Sequence, residues 1–308
     1  MAVFFLLMLM ETKNTKWIIL GLLALVWGSS FILMKRGLEG GLTPYQLGAF
    51  RIIFTSIFLL SIGWKELKNI TKEKIVPIFF AGFLGNFLPI FLFALAQTQI
   101  SSSISSTLNS FTPLNTLLIG SLFFGLTFTK RHVFGILLGI IGCIVLVYAG
   151  ASGNPSKNYW YTLLVLIATW CYACNINLVK KYLSDVTPFT ITVGNFAFLL
   201  VPALCILYFT DFSWNVTQTT PSDFPALFGI TIHPLFYVAV LGIIGTGLAN
   251  IYFYKLIQLS SPIFASNVTY LIPVVATFWS VLDHEGVTST QLLGTLIILI
   301  GVYITNKK

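Results

Sequence analysis

Apolar runs of about 18 to 24 residues, each long enough to cross a ~30 Å hydrocarbon layer as a helix, follow one another along almost the whole of this chain. They lie at 17–36, 44–64, 75–97, 101–124, 131–149, 159–180, 188–210, 235–257, 261–282 and 288–305. With 56% hydrophobic and only 8% charged residues, the chain has too little polar surface to dissolve in water and must be dissolved in lipid. There the backbone has to satisfy its own hydrogen bonds, which leaves helices or a closed barrel. Barrel strands appear as short alternating segments of about ten residues, and the sequence has none. The expected fold class is therefore an all-α integral membrane bundle of ten transmembrane helices.

The net charge of +8 does not point to nucleic acid, because the basic residues sit in the short loops and report orientation. With the N-terminus in the cytoplasm, thirteen lysines and arginines fall on the inner side, Lys65, Lys68, Lys72, Lys74, Lys180 and Lys181 among them. Three, Lys35, Arg36 and Lys157, fall on the outer side. Both termini are thus expected in the cytoplasm. Residues 1–16 form a cytoplasmic lead. Its apolar opening, MAVFFLLMLM, is too short to span and lacks the basic region and cleavage site of a signal peptide, so translation from Met10 is the expected start. Asn215-Val-Thr217 matches a glycosylation sequon on the long outer loop.

The ten runs divide into two sets of five, 17–149 and 159–305, joined by a Gly/Ser/Asn/Pro turn. Gly82, Gly85, Leu88, Phe93, Ser101, Ser106 and Pro113 meet identical residues 160 positions later. In each copy a Gly-containing helix runs into a Ser-rich turn, and a second helix with a mid-span proline follows. Trp27 pairs with Trp170 and Thr43-Pro44 with Thr187-Pro188, while Gly135 and Gly142 pair with Gly294 and Gly301. Five is odd, so the two halves must lie in opposite senses, the inverted-repeat plan of secondary transporters.

Several stretches carry a resemblance to a known group. These are WGSSF in the first helix with Lys35 beyond it, and LTPYQLGAFRIIF opening the second. FALAQTQISSSISSTLNSFTPLNTLL is echoed by FYKLIQLSSPIFASNVTYLIPVVATF, and the final helix is QLLGTLIILIGVYI. Together they resemble the drug/metabolite transporter superfamily, in its ten-helix EamA-domain type, over nearly the whole chain from residue 17. A Glu commonly ends the fourth helix of each half in that group. Glu285 fits it in the second half, whereas Leu126 stands at the matching place in the first. The resemblance implies a small-molecule carrier in a bacterial inner membrane, with its cavity among helices 1, 3, 4, 6, 8 and 9.

Polar side chains at membrane depth mark interior faces. On the fourth helix, Ser102, Ser106, Asn109 and Pro113 form one stripe, and Pro262, Ser266, Thr269 and Pro273 repeat it on the ninth. Such stripes line a cavity or let helices pack closely. Pro113 and Pro273 release carbonyls and bend or gate their helices. Trp27 and Trp170, with Ser30 beside the first, either flank the cavity or belong to the interfacial belt. With the resemblance, the expected substrate-cavity residues are Trp27, Ser30, Asn86, Ser106, Asn109, Trp170, Asn175, Asn250, Tyr254, Ser266 and Tyr270. Asn195 adds an amide at similar depth. Arg51 is the intramembrane charge, and it must snorkel, bond carbonyls or bind an anion. The resemblance favours the structural role, since the group carries an arginine there across diverse substrates.

No carboxylate or histidine falls at mid-membrane, which argues against proton coupling. No metal or cofactor is expected. Cys171 and Cys174 share a helix face but lack a second ligand pair. An intramembrane enzyme would need paired His and Glu or two Asp, and a channel a filter or a ring of charge; neither pattern occurs. What remains is a facilitated carrier or exchanger working by alternating access. For the resembling group the solute is an amino acid or related neutral or zwitterionic metabolite, moved mainly outward. A proton- or sodium-coupled carrier is the alternative. The Gly135-Gly139-Gly142 stripe packs either against a second copy, as a homodimer, or within its own bundle.

Overall fold

The structure is a computed structural model that describes residues 15–125, 129–153, 156–212, 233–283 and 286–306. Met10, Leu126, Glu285 and the Asn215 sequon lie outside the described residues. Among those described, every regular element is helical.

The helices are α1 (Thr15–Glu39), α2 (Pro44–Asn69), α3 (Lys72–Ala96), α6 (Tyr159–Tyr182), α7 (Pro188–Phe209), α8 (Pro234–Leu259) and α9 (Pro262–Leu282). Between them lie α4, in two pieces (Ser102–Asn109 and Thr112–Phe123), and α5 (Lys130–Gly153), and the chain closes with α10 (Ser289–Asn306). The first seven named are long and apolar enough to cross a membrane. In α5 and α10 the apolar stretch is shorter, Val133–Ala149 and Ser289–Gly301.

The residues that start the helices explain where they begin. Thr43 and Gln46 form a reciprocal capping box at α2, and Thr187 caps α7 by accepting from the Thr190 amide. The Ser-rich turns have the same use: Ser101 accepts from the Ile104 amide and Ser261 from the Phe264 amide. Each such cap stabilises its helix by about 1 kcal/mol.

Packing follows the duplication. The helices α2 and α7 lie against each other, as do α5 and α10, while α1 packs on α8 and α9 and α6 packs on α3 and α4. The α5–α10 seam is made of glycine. A Cβ on Gly301 would sit 2.6 Å from the Gly135 carbonyl oxygen, and one on Gly142 would sit 2.8 Å from that of Gly294. These pairs show that the two helices run antiparallel in near backbone contact. The glycine stripe is thus occupied within the chain.

The fourth helix of each half is interrupted, α4 between Asn109 and Thr112 and α9 at Asn267, and each carries a proline beyond its break. Pro113 has no N–H for the Asn109 carbonyl four residues back, and the Thr112 hydroxyl donates to that oxygen instead, at 2.8 Å. Pro273 likewise frees the Thr269 carbonyl, and the partner comes from the other half, the Ser110 hydroxyl at 3.0 Å. The two broken helices are therefore stitched together at mid-depth.

Candidate functional site

A further irregularity occurs twice. Helix α3 contains a π turn over Phe83–Phe87 and α8 one over Ile243–Leu248, at matching places in the two halves. π turns widen a helix and displace carbonyls from the ladder. In α8 the displaced Gly245 carbonyl accepts from the Trp27 indole Nε1 at 2.9 Å. The glycines permit the close approach: a Cβ on Gly85 would meet the Asn175 amide at 2.4 Å, and one on Gly245 the Ser30 hydroxyl at 3.0 Å.

Around the two π turns lies a central cavity of about 80 Å³, walled by residues of α1, α2, α3, α4, α6, α8 and α9. Of the residues expected there, it brings together Trp27, Ser30, Asn86, Asn109, Asn175, Asn250 and Ser266, with Arg51. Asn250 Nδ2 donates to Asn86 Oδ1 at 2.7 Å and to the Thr246 carbonyl. Tyr254 is wholly buried just outside the wall, its hydroxyl among the Asn86, Asn175 and Asn195 side chains, with Asn195 Nδ2 donating to it at 2.7 Å. Ser106 is buried against its own helix, donating to the Ser103 carbonyl, and Tyr270 packs on the hydrophobic core. Pro113 and Pro273 do not line the cavity; they act through the carbonyls they free from the helix ladder.

Trp170 is the clear departure. It is 46% exposed on the outer face of α6. The cavity position is taken by Tyr172, two residues on and about 200° around the helix. The structural register of the halves explains this. Trp27, Ser30 and Phe31 on α1 correspond in the cavity to Tyr172, Asn175 and Ile176 on α6, each 145 positions later. Matching Trp with Trp uses 143, and a two-residue slip on a helix turns the inner face outward.

Arg51 does not snorkel. Its Nε donates to Thr246 Oγ1 in the π turn of α8 at 2.7 Å, and Thr55, one turn on, donates to the Gly242 carbonyl at 2.7 Å. Both bonds tie α2 to α8. Helix α2 was absent from the expected cavity set, and Arg51 is what brings it in.

The two ends of the bundle differ. At the end carrying Lys180, that ammonium donates to the Ile257, Gln258 and Ser260 carbonyls that close α8. Gln258 Nε2 returns the arrangement, donating to the Leu183 and Val186 carbonyls beyond α6. Apolar packing around Ile19, Leu23, Val179, Tyr252 and Val268 fills the space between this clasp and the cavity. Beside it the Lys74 ammonium, 2.6 Å from Asp185, holds that carboxyl below the ordinary carboxylate range.

At the opposite end a vestibule of about 750 Å³ opens between α1, the α3–α4 turn and α10, lined by Lys35, Glu39, Gln97, Lys157 and Gln291. Both side-chain polar atoms of Gln97 are buried without a partner. Lys35 and Arg36 both pair with Asp283, whose side chain is 4% exposed, holding α1 to the end of α9. Among the described residues no group of three or more His, Cys, Asp or Glu is placed to hold a metal, and Cys171 and Cys174 are free.

Comparison with known proteins agrees with this architecture. The model of the EamA-like transporter family matches twice, over residues 15–148 and 159–307. A probable amino-acid metabolite efflux pump of Escherichia coli is 26% identical over 92% of both chains. A Chlamydia muridarum S-adenosylmethionine/S-adenosylhomocysteine transporter is 22% identical over 83% of this chain and 80% of its own. A crystal structure superposes with a TM-score of 0.66 at 16% identity, covering 96% of this chain and 97% of that one, a likeness of fold alone.

Proposed function

This chain belongs to the EamA-like transporter family, and from that premise we propose that it is a secondary carrier which moves a small neutral or zwitterionic metabolite outward by alternating access. It is a multi-pass membrane protein, and its relatives are named as transporters. The observation that carries the reading is the central cavity, walled by matching helices of both halves, with packed structure toward one end and a vestibule toward the other. A carrier needs a site shared by two elements that rock about it. The antiparallel contact of the matching helices α5 and α10 supports two inverted five-helix halves, 17–149 and 159–305, with ten helices crossing the bilayer. On that plan the Lys180 end is cytoplasmic, with both termini, and the vestibule faces outward.

The amino-acid assignment draws on the efflux-pump relative of Escherichia coli. It fits a wall of amides, hydroxyls and aromatic rings. The wall residues include no Asp, Glu, His or Lys, which supports facilitated movement or exchange over proton coupling.

Counterflow in proteoliposomes tests the reading. Preloading the lumen with an unlabelled amino-acid mixture should accelerate uptake of labelled members of the same mixture. Flux that ignores the preload would indicate a channel-like pore and contradict the proposal.

A further inference from the structure

Arg51 is held at one nitrogen and not at the others. Its Nε is fixed by Thr246, while its two terminal nitrogens neither donate to a described residue nor are sealed from the cavity they border. No carboxylate lines that cavity. An arginine braced only for structure would be expected to have all its donors filled, since a charge at this depth is costly unless paired. The wall shows the same incompleteness elsewhere. Asn175 Oδ1, an acceptor, is buried without a hydrogen-bond partner, a vacancy that is tolerable where a change of state fills it.

Taking the carrier reading of this cavity as given, we infer that its substrates bear a carboxylate, and that Arg51 receives it through its terminal nitrogens. A planar guanidinium matches a carboxylate with two parallel hydrogen bonds, which a lysine cannot reproduce. Thr246 orients the fork and is a positioning residue. The α-ammonium of a zwitterionic solute meets the ring faces of Trp27 and Tyr172 rather than a counter-charge.

The test is exchange by the full-length protein in proteoliposomes with matched probes: L-methionine, L-leucine and L-threonine, each beside its carboxamide. Wild-type protein should exchange the acids at least about tenfold faster than the amides. R51Q should lower acid exchange by about tenfold to a hundredfold, the range for losing a charged hydrogen bond, and bring the acid-to-amide ratio toward one. R51K should keep a reduced preference. T246V should slow exchange while preserving the ratio, which a purely structural Arg51 would not distinguish from R51Q. If R51Q does not purify as a single species, the wild-type ratio together with R51K decides. Equal handling of acid and amide by wild type, or an unchanged ratio in R51Q, would overturn the role of Arg51 and leave the carrier reading standing. Exchange of none of the six probes would contradict both.

Discussion

Trp27 caps the Gly245 carbonyl that the π turn of α8 sets free. Trp27→Phe keeps the ring that meets Phe253 edge-on at 4.9 Å but leaves that oxygen without its donor, a cost of about 1–3 kcal/mol. A lowered midpoint in a thermal-shift melt should show it. Trp170→Phe, on the exposed face of α6, should leave the midpoint and exchange unchanged; equal effects of the two substitutions would refute the cavity register. The cavity wall holds no carboxylate or imidazole, so exchange should be flat between about pH 6 and 8 and indifferent to an imposed proton gradient. A steep pH dependence of exchange would contradict this. The polar residues of the site were largely legible in the sequence, because an Asn or Arg at membrane depth has few places to go. Tyr172 was not, since the matched tryptophans pointed two residues away.

At the scale of elements, the helix ends were legible and the helix defects only in part. Hydropathy bounds the spans, and Thr-Pro and Ser mark their starts. Pro113 and Pro273 announced carbonyls freed from the helix ladder, but not that Ser110 of one half would serve the one freed in the other. The π turns left no readable mark: Pro89 follows the first, but Ala249 stands in its place after the second. Long-range partners, Trp27 for Gly245 and Asn175 against Gly85, decide them. The clasp between α6 and α8 makes a direct prediction. K180M combined with Q258A removes five donor contacts and should let the Lys180 end open more often. A single cysteine at the buried position Ala265 should then react with a membrane-impermeant maleimide about tenfold faster, a shift of roughly 1.4 kcal/mol. No change in labelling would mean that apolar packing alone keeps this end shut. The Asp185–Lys74 contact adds little, being exposed. With its carboxyl held low, its contribution is present above the ordinary carboxylate pKa and fades only as pH falls through the lowered value.

For the whole molecule, the duplicated sequence implied two halves about a shared site, and the packing pairs α2 with α7 and α5 with α10 along that division. Symmetry also gives the clasp a counterpart. Lys35 lies 145 positions before Lys180, and Gln97, with its polar atoms unfilled, lies near the matching end of α3. Here Lys35 is drawn to Asp283 and the vestibule stands open. On the proposed alternating-access mechanism the open and packed ends exchange places in the other state. The direct test is a pair of distance measurements between spin labels in reconstituted protein, with Cys143, Cys171, Cys174 and Cys205 replaced by serine. One pair, at Glu39 and Lys157, spans the vestibule; the other, at Tyr182 and Leu259, spans the clasp. Adding an exchanged amino acid should shift both distributions in opposite directions, the first toward shorter and the second toward longer distances. Movement of both pairs in the same sense, or of neither during measurable exchange, would contradict alternating access by these two halves.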